Sequence, residues 1–196
     1  GNRFAMGLGG KGANQAVMAA KLSARVTMVT KLGKDIFGEN TLKNFQHCGI
    51  DTTHVHFTDR AFSGVAPIAV DPRGNNAIII TLGANNELTV EEIQAARSAI
   101  AEADVLICQN EIPPHISLAA MQIARESGVR TIYNPAPALK DLPETLFSLS
   151  DLVCPNESET EILTGLPVHT VEEAENAARL LIKRGAGAVI LTLGEK

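Results

Sequence analysis

A glycine-rich segment with an embedded lysine, residues 7–15, carries the clearest chemical signal in this sequence. Four glycines surround Lys11, and Asn14 follows where a helical pattern over about 14–23 begins. Unpaired N–H groups and the positive dipole at the start of a helix attract oxygen-rich ligands, and glycines let a ligand approach the backbone closely. Lys11 and Asn14 add a charged donor and an amide. The segment therefore predicts a site for a polyhydroxylated or phosphorylated small molecule.

Other interpretations of the same segment were weighed against this one. Gly7-x-Gly9-x-x-Gly12 matches the dinucleotide fingerprint, but the predicted strand 26–30 is followed by Lys31 rather than by the required acidic residue. The ATP-type P-loop needs Ser or Thr after its lysine, and here Gly12 follows. A tight turn in which the glycines serve only packing stays open.

Composition excludes several classes of partner. The 196 residues carry a net charge of −5 with scattered basic residues, which argues against nucleic acid. No apolar run approaches the ~18 residues that a membrane helix needs. Cys48, Cys108 and Cys154 are odd in number and far apart, which favours a reducing compartment over a disulfide framework or a zinc site. With no recognisable targeting signal, we expect a cytoplasmic protein and leave a nuclear pool open.

Apolar runs alternate with amphipathic segments along most of the chain, and this alternation predicts the elements that must position the site. Helices are predicted at 14–23, 37–48, 89–103 and 170–184, and strands at 26–30, 105–109, 131–134, 152–154 and 188–193. Two further β-rich runs, 65–70 and 77–82, flank a Pro- and Gly-containing turn and predict an antiparallel hairpin. The pattern is typical of a single α/β domain over 1–196, with a mostly parallel sheet and a small β element.

Local signals mark the faces and ends of these elements. In the first helix, Gln15, Met18 and Leu22 lie on one face at helical spacing, and in the second helix Phe37, Leu42 and Phe45 are predicted to face inward. Asp35 is predicted to cap the start of the second helix, and Gly49 lies where a C-cap glycine would. Capping boxes at Thr89 and Thr170 begin the other two helices, and strand 105–109 is predicted to be buried.

Polar residues follow several of the predicted strands, at the end where α/β sheets bind ligands. Each of these residues also has a purely structural explanation. Glu111 could be a solvated loop acid, Asn156 could cap a helix, and the acids near it suit the positive end of a helix dipole. The residues concerned are Glu111, Asn134, Asn156, Glu157, Glu159, Glu161, Thr192 and Gly194.

Taken together, these motifs resemble the PfkB-type carbohydrate kinases, and among them the ribokinases. Six segments occur in the order seen in that family, and the resemblance runs from end to end of the chain. They are Gly9-Gly10-Lys11-Gly12-Ala13-Asn14-Gln15-Ala16, Gly83-Ala84-Asn85, Gln109-Asn110-Glu111, Asn134-Pro135-Ala136-Pro137, Pro155-Asn156-Glu157-Ser158-Glu159 and Thr192-Leu193-Gly194.

The resemblance implies a ribokinase-like three-layer αβα fold with a mostly parallel sheet and a β lid at about 64–82. It implies ATP-dependent phosphorylation of D-ribose at the 5-hydroxyl, with Mg²⁺ and, in complete members, K⁺. The lid would close over the sugar and pair two copies as a homodimer. The residues implied to hold the sugar are Gly10, Lys11, Asn14 and Glu111. Those implied to lie by ATP are Asn156, Thr192 and Gly194, while Glu159 would act on Mg²⁺ through water.

Two parts of the family pattern fall outside residues 1–196. The family's catalytic base is the aspartate of a Gly-Ala-Gly-Asp segment that would follow Lys196, and its first strand carries a sugar-binding Asn-x-Asp that would precede Gly1. No residue here is therefore assigned as the base, and we expect this chain to be inactive alone. Two alternatives stay open: a non-catalytic short form that binds sugar or a partner, and a kinase of a deoxysugar.

Overall fold

The computed structural model describes residues 5–71, 74 and 76–194, and it divides the chain into two compact units, Gly1–Leu88 and Thr89–Lys196. Each unit is described by itself below, and a single domain over 1–196 stays a prediction. In the part of the chain that the structure describes, no helix is long and apolar enough to cross a bilayer.

The first unit contains a parallel pair of strands and a small antiparallel hairpin. β1 and β2 run parallel, while β3 pairs antiparallel with β4 and a bridge joins Val65 to Thr81. The predicted hairpin is therefore confirmed, although its strands are only three residues long; residues 72, 73 and 75 of its turn lie outside the described part. The elements are α1 (Lys11–Lys21), β1 (Thr27–Gly33), α2 (Ile36–His47), β2 (Asp51–Thr58), β3 (Ile68–Val70), β4 (Asn76–Ile78) and a 3₁₀ helix (Gly83–Glu87).

Helix α1 packs through small residues rather than through the face expected from the sequence. It begins at Lys11, three residues earlier than predicted, and buries Ala16 against Phe45 and Ile50. The predicted face was wrong, because Met18 is 57% exposed and Leu22 lies beyond the helix. Alanines let the helix approach its neighbours closely, so the packed face is not the one with the largest apolar residues.

Helix α2 has the two capping residues that the sequence predicts, although it begins and ends one residue earlier, at Ile36 and His47. Asp35 caps it by accepting a hydrogen bond from the N–H of Gly38, and Gly49, just past the last turn, adopts φ +72°. Phe45 is buried as expected, whereas Phe37 is 43% exposed and the prediction that it faces inward was wrong. Phe37 lies in the first turn of the helix and is not among the described residues that pack against the cluster of Ala16, Phe45 and Ile50.

The second unit is a parallel three-stranded sheet, in the order β5-β6-β7, with its helices. Capping boxes at Thr89 and Thr170 begin α3 and α8 as predicted, but the predicted helix 89–103 is interrupted at Ala96. The elements are α3 (Val90–Ala95), α4 (Arg97–Ala101), β5 (Val105–Gln109), α5 (Pro114–Glu126), β6 (Arg130–Asn134), α6 (Glu144–Ser148), β7 (Leu152–Val153), α7 (Glu157–Thr164) and α8 (Val171–Lys183).

Two strand predictions in this unit need correction. The segment 188–193 makes isolated parallel bridges, from Val189 to Val153 and from Thr192 to Asn156, instead of a regular strand. The neighbouring strand β7 is only two residues long, so it offers few backbone groups with which 188–193 could form hydrogen bonds. β5 is not buried throughout, because Val105 and Ile107 share one face of the strand and are each 41% exposed.

The core of the second unit surrounds Tyr133 and Phe147, whose rings meet edge-on with centroids 6.4 Å apart. Arg184 lies over the Phe147 ring at 4.4 Å and forms a two-pronged ion pair with Glu144. Cys108 on β5 is buried, and this burial raises the pKa of its thiol to about 12. The side chain therefore behaves as a small apolar residue. All three cysteines are free, as expected, but Cys48 and Cys154 are only partly buried.

Candidate active site

The glycine-rich segment forms the uncapped beginning of α1. Gly10 adopts φ +97°, a left-handed conformation that favours glycine, and its carbonyl accepts the first helical hydrogen bond from Asn14. Gly10 offers no side chain to cap the helix, and the first turn contains no acidic residue. The first N–H groups of this helix are thus left without a side-chain cap, which is compatible with the predicted site for an oxygen-rich ligand.

A groove of about 360 Å³ lies between α1 and α2 in the first unit. Asn14 lines it together with Lys21 and Asn44, but neither Gly10 nor Lys11 does. The groove therefore contains one member of the predicted sugar set and excludes two others. We do not assign it to the sugar.

An aspartate clamp joins the start of α2 to the segment that leads into the hairpin. The two carboxylate oxygens of Asp35 accept hydrogen bonds from the backbone N–H of Ser63 (2.7 Å), the Ser63 hydroxyl (2.9 Å) and the N–H of Gly38 (2.8 Å). Ser63 in turn accepts a hydrogen bond from the N–H of Gly33. Sequence reasoning identified Asp35 as a cap but missed Ser63, because nothing near Ser63 in the chain marks it.

The same clamp fixes the charge state of its carboxylate. Burial raises the pKa of Asp35, but the hydrogen bonds from Ser63 and Gly38 outweigh it and hold the pKa below the usual range of an aspartate. Because the folded pKa is depressed, the ionised form contributes stability above the unfolded pKa, and this contribution is lost as the pH falls through the folded value.

We expect Asp35→Asn to lower the free energy of unfolding by about 2 kcal/mol at neutral pH. One of the two carboxylate oxygens, each of which accepts a hydrogen bond, would be replaced by an NH₂ group that cannot accept one. The difference from the unsubstituted chain should shrink as the pH falls below the usual pKa of an aspartate towards the lowered pKa of Asp35. Urea unfolding at pH 7 and pH 3 measures both effects. Asp59→Asn is the matched control, since Asp59 is 77% exposed in its pair with Lys34. Equal losses in the two variants would contradict the clamp.

The returning end of the hairpin, at the 3₁₀ helix, is bonded to β1 and to the segment that leads into the hairpin. The N–H of Ala84 donates to the carbonyl of Phe62 (2.7 Å), which joins the outgoing and returning segments. Lys31, only 6% exposed, donates from Nζ to the carbonyl of Glu87 at 2.9 Å, and Arg60 pairs with the Glu87 carboxylate at 2.6 Å. Both ends of the hairpin are thus held by hydrogen bonds and an ion pair within the first unit.

In the second unit, the residues after the parallel strands are tied together by side chains. Glu111 follows β5 and is half-buried, directly after the buried Asn110. Asn134 at the end of β6 donates from Nδ2 to the carbonyl of Cys154 at 2.7 Å, which links the ends of β6 and β7. The structure therefore uses Asn134 to join strand ends, a role that the sequence did not indicate.

The predicted nucleotide residues lie together at the start of α7. Asn156 and Glu159 form a reciprocal capping box, with the Asn156 side chain accepting from the N–H of Glu159 at 2.8 Å and the Glu159 carboxylate accepting from the N–H of Asn156 at 2.9 Å. Thr192 bridges to Asn156, and a Cβ built on Gly194 would lie 3.6 Å from a Glu157 carboxylate oxygen. The capping alternative for Asn156 is thus real, and it coexists with a location beside Thr192 and Gly194.

The acidic residues of α7 divide into two kinds. Glu161 accepts a hydrogen bond from the N–H of Val168 at 2.9 Å and lies 3.6 Å from His169, so it organises the following loop. Glu159 is half-buried at the helix start, and one of its oxygens is used in the capping box. Among the described residues, no three acidic, histidine or cysteine side chains gather to hold a metal. That is compatible with Mg²⁺, which takes few protein ligands and keeps several waters.

Residues 1–196 match the sequence pattern of the pfkB family carbohydrate kinases. The chain belongs to this family. It is 46% identical over 194 residues to the ribokinase of Mus musculus, covering 99% of this chain and 60% of the mouse protein. It is 42% identical to a deoxyribokinase of Salmonella typhi, covering 98% of this chain and 63% of that protein.

Solved structures confirm the ribokinase-like α/β fold of this pfkB-family chain. The ribokinase of Arabidopsis thaliana, complexed with ribose and ATP, superposes with a TM-score of 0.86 at 30% identity. The match covers 96% of this chain and 61% of the Arabidopsis protein. The predicted sugar-binding residues are divided between the two units, with Glu111 in the second and the others in the first.

Proposed function

We propose that the kinase containing this chain transfers a phosphoryl group from ATP to the 5-hydroxyl of D-ribose. The observation that carries the proposal is the 46% identity to mouse ribokinase over 99% of the chain. Two features of the site support it: an uncapped, glycine-preceded helix start at Lys11, and the grouping of Asn156, Thr192 and Gly194 beside the start of α7. Both are helix N-termini, which suit hydroxyl and phosphate oxygens.

The residues divide into two sets by chemistry. Lys11 and Asn14 donate to sugar hydroxyls with the Gly10 backbone, while the carboxylate of Glu111 accepts from them. Asn156, Thr192 and Gly194 lie by the phosphates and the nucleotide. Glu159 keeps one carboxylate oxygen for a water of Mg²⁺, whose charge helps to stabilise the transferred group. A requirement for K⁺ stays a prediction from the resemblance.

The hairpin at about 64–82 is proposed as a lid that closes over the sugar and pairs two copies. Its apolar side chains support the pairing, since Val70 is 65% and Ile79 70% exposed. Closure would exclude water from the reacting phosphate. We place the protein in the cytoplasm, in keeping with its free cysteines. The predicted nuclear pool has no support from the relatives.

The test uses a completed kinase in which this chain replaces the matching segment of Mus musculus ribokinase. We expect ADP release that depends on ribose, with phosphate attached to the 5-hydroxyl of the product. The reaction without sugar is the control. A completed kinase that folds, binds ATP and turns over no pentose would overturn the proposal.

A deoxysugar kinase is the second candidate, because the Salmonella typhi deoxyribokinase is 42% identical over 98% of this chain. The proposed sugar residues do not separate the two sugars on chemical grounds, since both offer several hydroxyls to the same donors and acceptor. Competition between ribose and 2-deoxyribose at equal concentration, with products separated by mass, decides between them. A preference of tenfold or more for 2-deoxyribose, which corresponds to about 1.4 kcal/mol of transition-state binding, would favour the deoxysugar kinase over the ribokinase.

Asn156→Asp separates the nucleotide role of this residue from its capping role. Aspartate caps a helix as well as asparagine does, so we expect the free energy of unfolding to change by less than about 0.5 kcal/mol. The added negative charge should raise the KM for ATP about tenfold through repulsion of the phosphates. Thr170→Asp is the matched control, because it places the same charge at the cap of α8. An unchanged KM for ATP would leave Asn156 as a cap alone.

A further inference from the structure

A buried polar pair in the core of the second unit has no part in the proposed chemistry so far. Tyr133 on β6 is fully buried, and its hydroxyl donates a hydrogen bond to the Oδ1 atom of Asn110, which is 3% exposed. Burial raises the pKa of Tyr133, so its hydroxyl stays protonated and remains a donor at all physiological pH values. The pair lies 23 residues apart in sequence and is formed by the fold alone.

Asn110 also joins two strand-end loops through its Nδ2 atom and its backbone N–H. Its Nδ2 atom donates to the carbonyl of Pro137 at 3.1 Å, and its backbone N–H donates to the carbonyl of Ala136 at 3.1 Å. The hydroxyl of Tyr133 fixes the orientation of the amide, since it supplies a donor to Oδ1 and leaves Nδ2 for the Pro137 carbonyl. The segment 109–111 is thereby held against the segment 134–137.

This pair is poorly explained by stability alone. Replacing both partners of a buried hydrogen bond by apolar groups of similar shape is often nearly neutral, whereas a half-satisfied pair is costly. A Phe and Leu pair would fill the same space, and the only polar atom of the network left without its donor would be the half-buried Pro137 carbonyl. What the polar pair adds is a fixed orientation. Its directional hydrogen bonds hold the side-chain amide of Asn110 and thereby the backbone of Asn110 and the peptide that follows it.

We infer that Tyr133 and Asn110 are positioning residues for Glu111, and that they fix the peptide from which its carboxylate reaches the sugar. The inference rests on the proposed function, because it deepens the role given there to Glu111. Asn110 immediately precedes Glu111, so a shift of Asn110 also displaces the side chain of Glu111. Displacements of this kind at a binding group cost affinity out of proportion to their size.

The test compares two variants in the completed kinase, Tyr133→Phe and the double variant Tyr133→Phe/Asn110→Leu. In Tyr133→Phe, which leaves Oδ1 of Asn110 buried without its donor, we expect an about tenfold rise in the KM for ribose, a smaller change in kcat, and a lowered unfolding midpoint. In the double variant the midpoint should recover in large part, because the buried Oδ1 atom is removed and only the half-buried Pro137 carbonyl loses its donor, while the KM for ribose should stay raised.

A KM for ribose that recovers together with the unfolding midpoint in the double variant would overturn the inference, since the pair would then be structural only. Amide hydrogen exchange at residues 110–112 gives a readout independent of the substrate. Faster exchange there in both variants supports the positioning role even if the completed kinase phosphorylates no ribose, in which case the proposed function alone fails. Unchanged exchange in both variants overturns the inference. Should Tyr133→Phe fail to fold, the KM for ribose and the hydrogen exchange of the double variant are compared directly with those of the unsubstituted kinase.

Discussion

Gly83→Ala is expected to lower the free energy of unfolding by about 3 kcal/mol or more, the largest stability effect among the substitutions considered. Two costs combine at this position. Gly83 adopts φ +52°, where a side chain costs about 1–2 kcal/mol. A Cβ there would also overlap the carbonyl oxygen of Phe62, a backbone atom that cannot turn away as a flexible side chain can. The same carbonyl accepts the hydrogen bond from Ala84, so relief of the overlap would break that bond.

Gly49→Ala is the matched control for this prediction. Gly49 has φ +72° and nothing within 4 Å of an added Cβ, so its substitution should cost only the backbone strain, about 1 kcal/mol. Urea unfolding of both variants measures the difference, which isolates the overlap at Phe62. Equal losses in the two variants would mean that the contact between the outgoing and returning ends of the hairpin is not tight.

Glu111→Gln is expected to have the largest effect on sugar binding. The amide keeps the shape of the side chain but loses the charge, and hydrogen bonds to charged groups contribute about 1.5–3 kcal/mol. We therefore expect the KM for ribose in the completed kinase to rise roughly 10- to 100-fold. The change in kcat should be smaller, because the carboxylate is proposed to hold hydroxyls rather than to move a proton.

Glu102→Gln serves as the control, since Glu102 is an exposed acid of the same unit at the end of α4. It should leave the KM for ribose unchanged. If Glu111→Gln behaves like Glu102→Gln, then Glu111 is the solvated loop acid that the sequence also allowed. A fall in kcat with no change in KM would likewise exclude the sugar-holding role and point to a step after binding.

Much of the local structure could be predicted because its causes lie within a few residues. The capping boxes at Thr89 and Thr170 need only a hydroxyl and a glutamate three positions later, and both formed as predicted. The helix end at Gly49 and the hairpin around Gly74 follow from turn chemistry in the same way. The order of motifs was enough to identify the family.

The sequence was less successful where packing decides. The face that α1 buries was wrong, because alanines allow close approach and a count of large apolar residues does not show this. The segment 188–193 has the composition of a strand but makes only isolated bridges to a two-residue neighbour. The exposure of Val105 and Ile107 on β5 likewise depends on what covers the strand, which composition does not report.

The sequence by itself therefore determined the family, the order of the elements and the residue types at the candidate site. Only the tertiary structure decided which partners those residues use. Asp35 meets Ser63 across 28 positions, and Tyr133 meets Asn110 across 23. Neither pair has a signal in the intervening chain, since a hydrogen bond between distant residues depends on how strands and loops pack rather than on spacing. Local hydrogen bonds can be predicted from sequence because the backbone brings their partners together, whereas these long-range pairs require the whole fold.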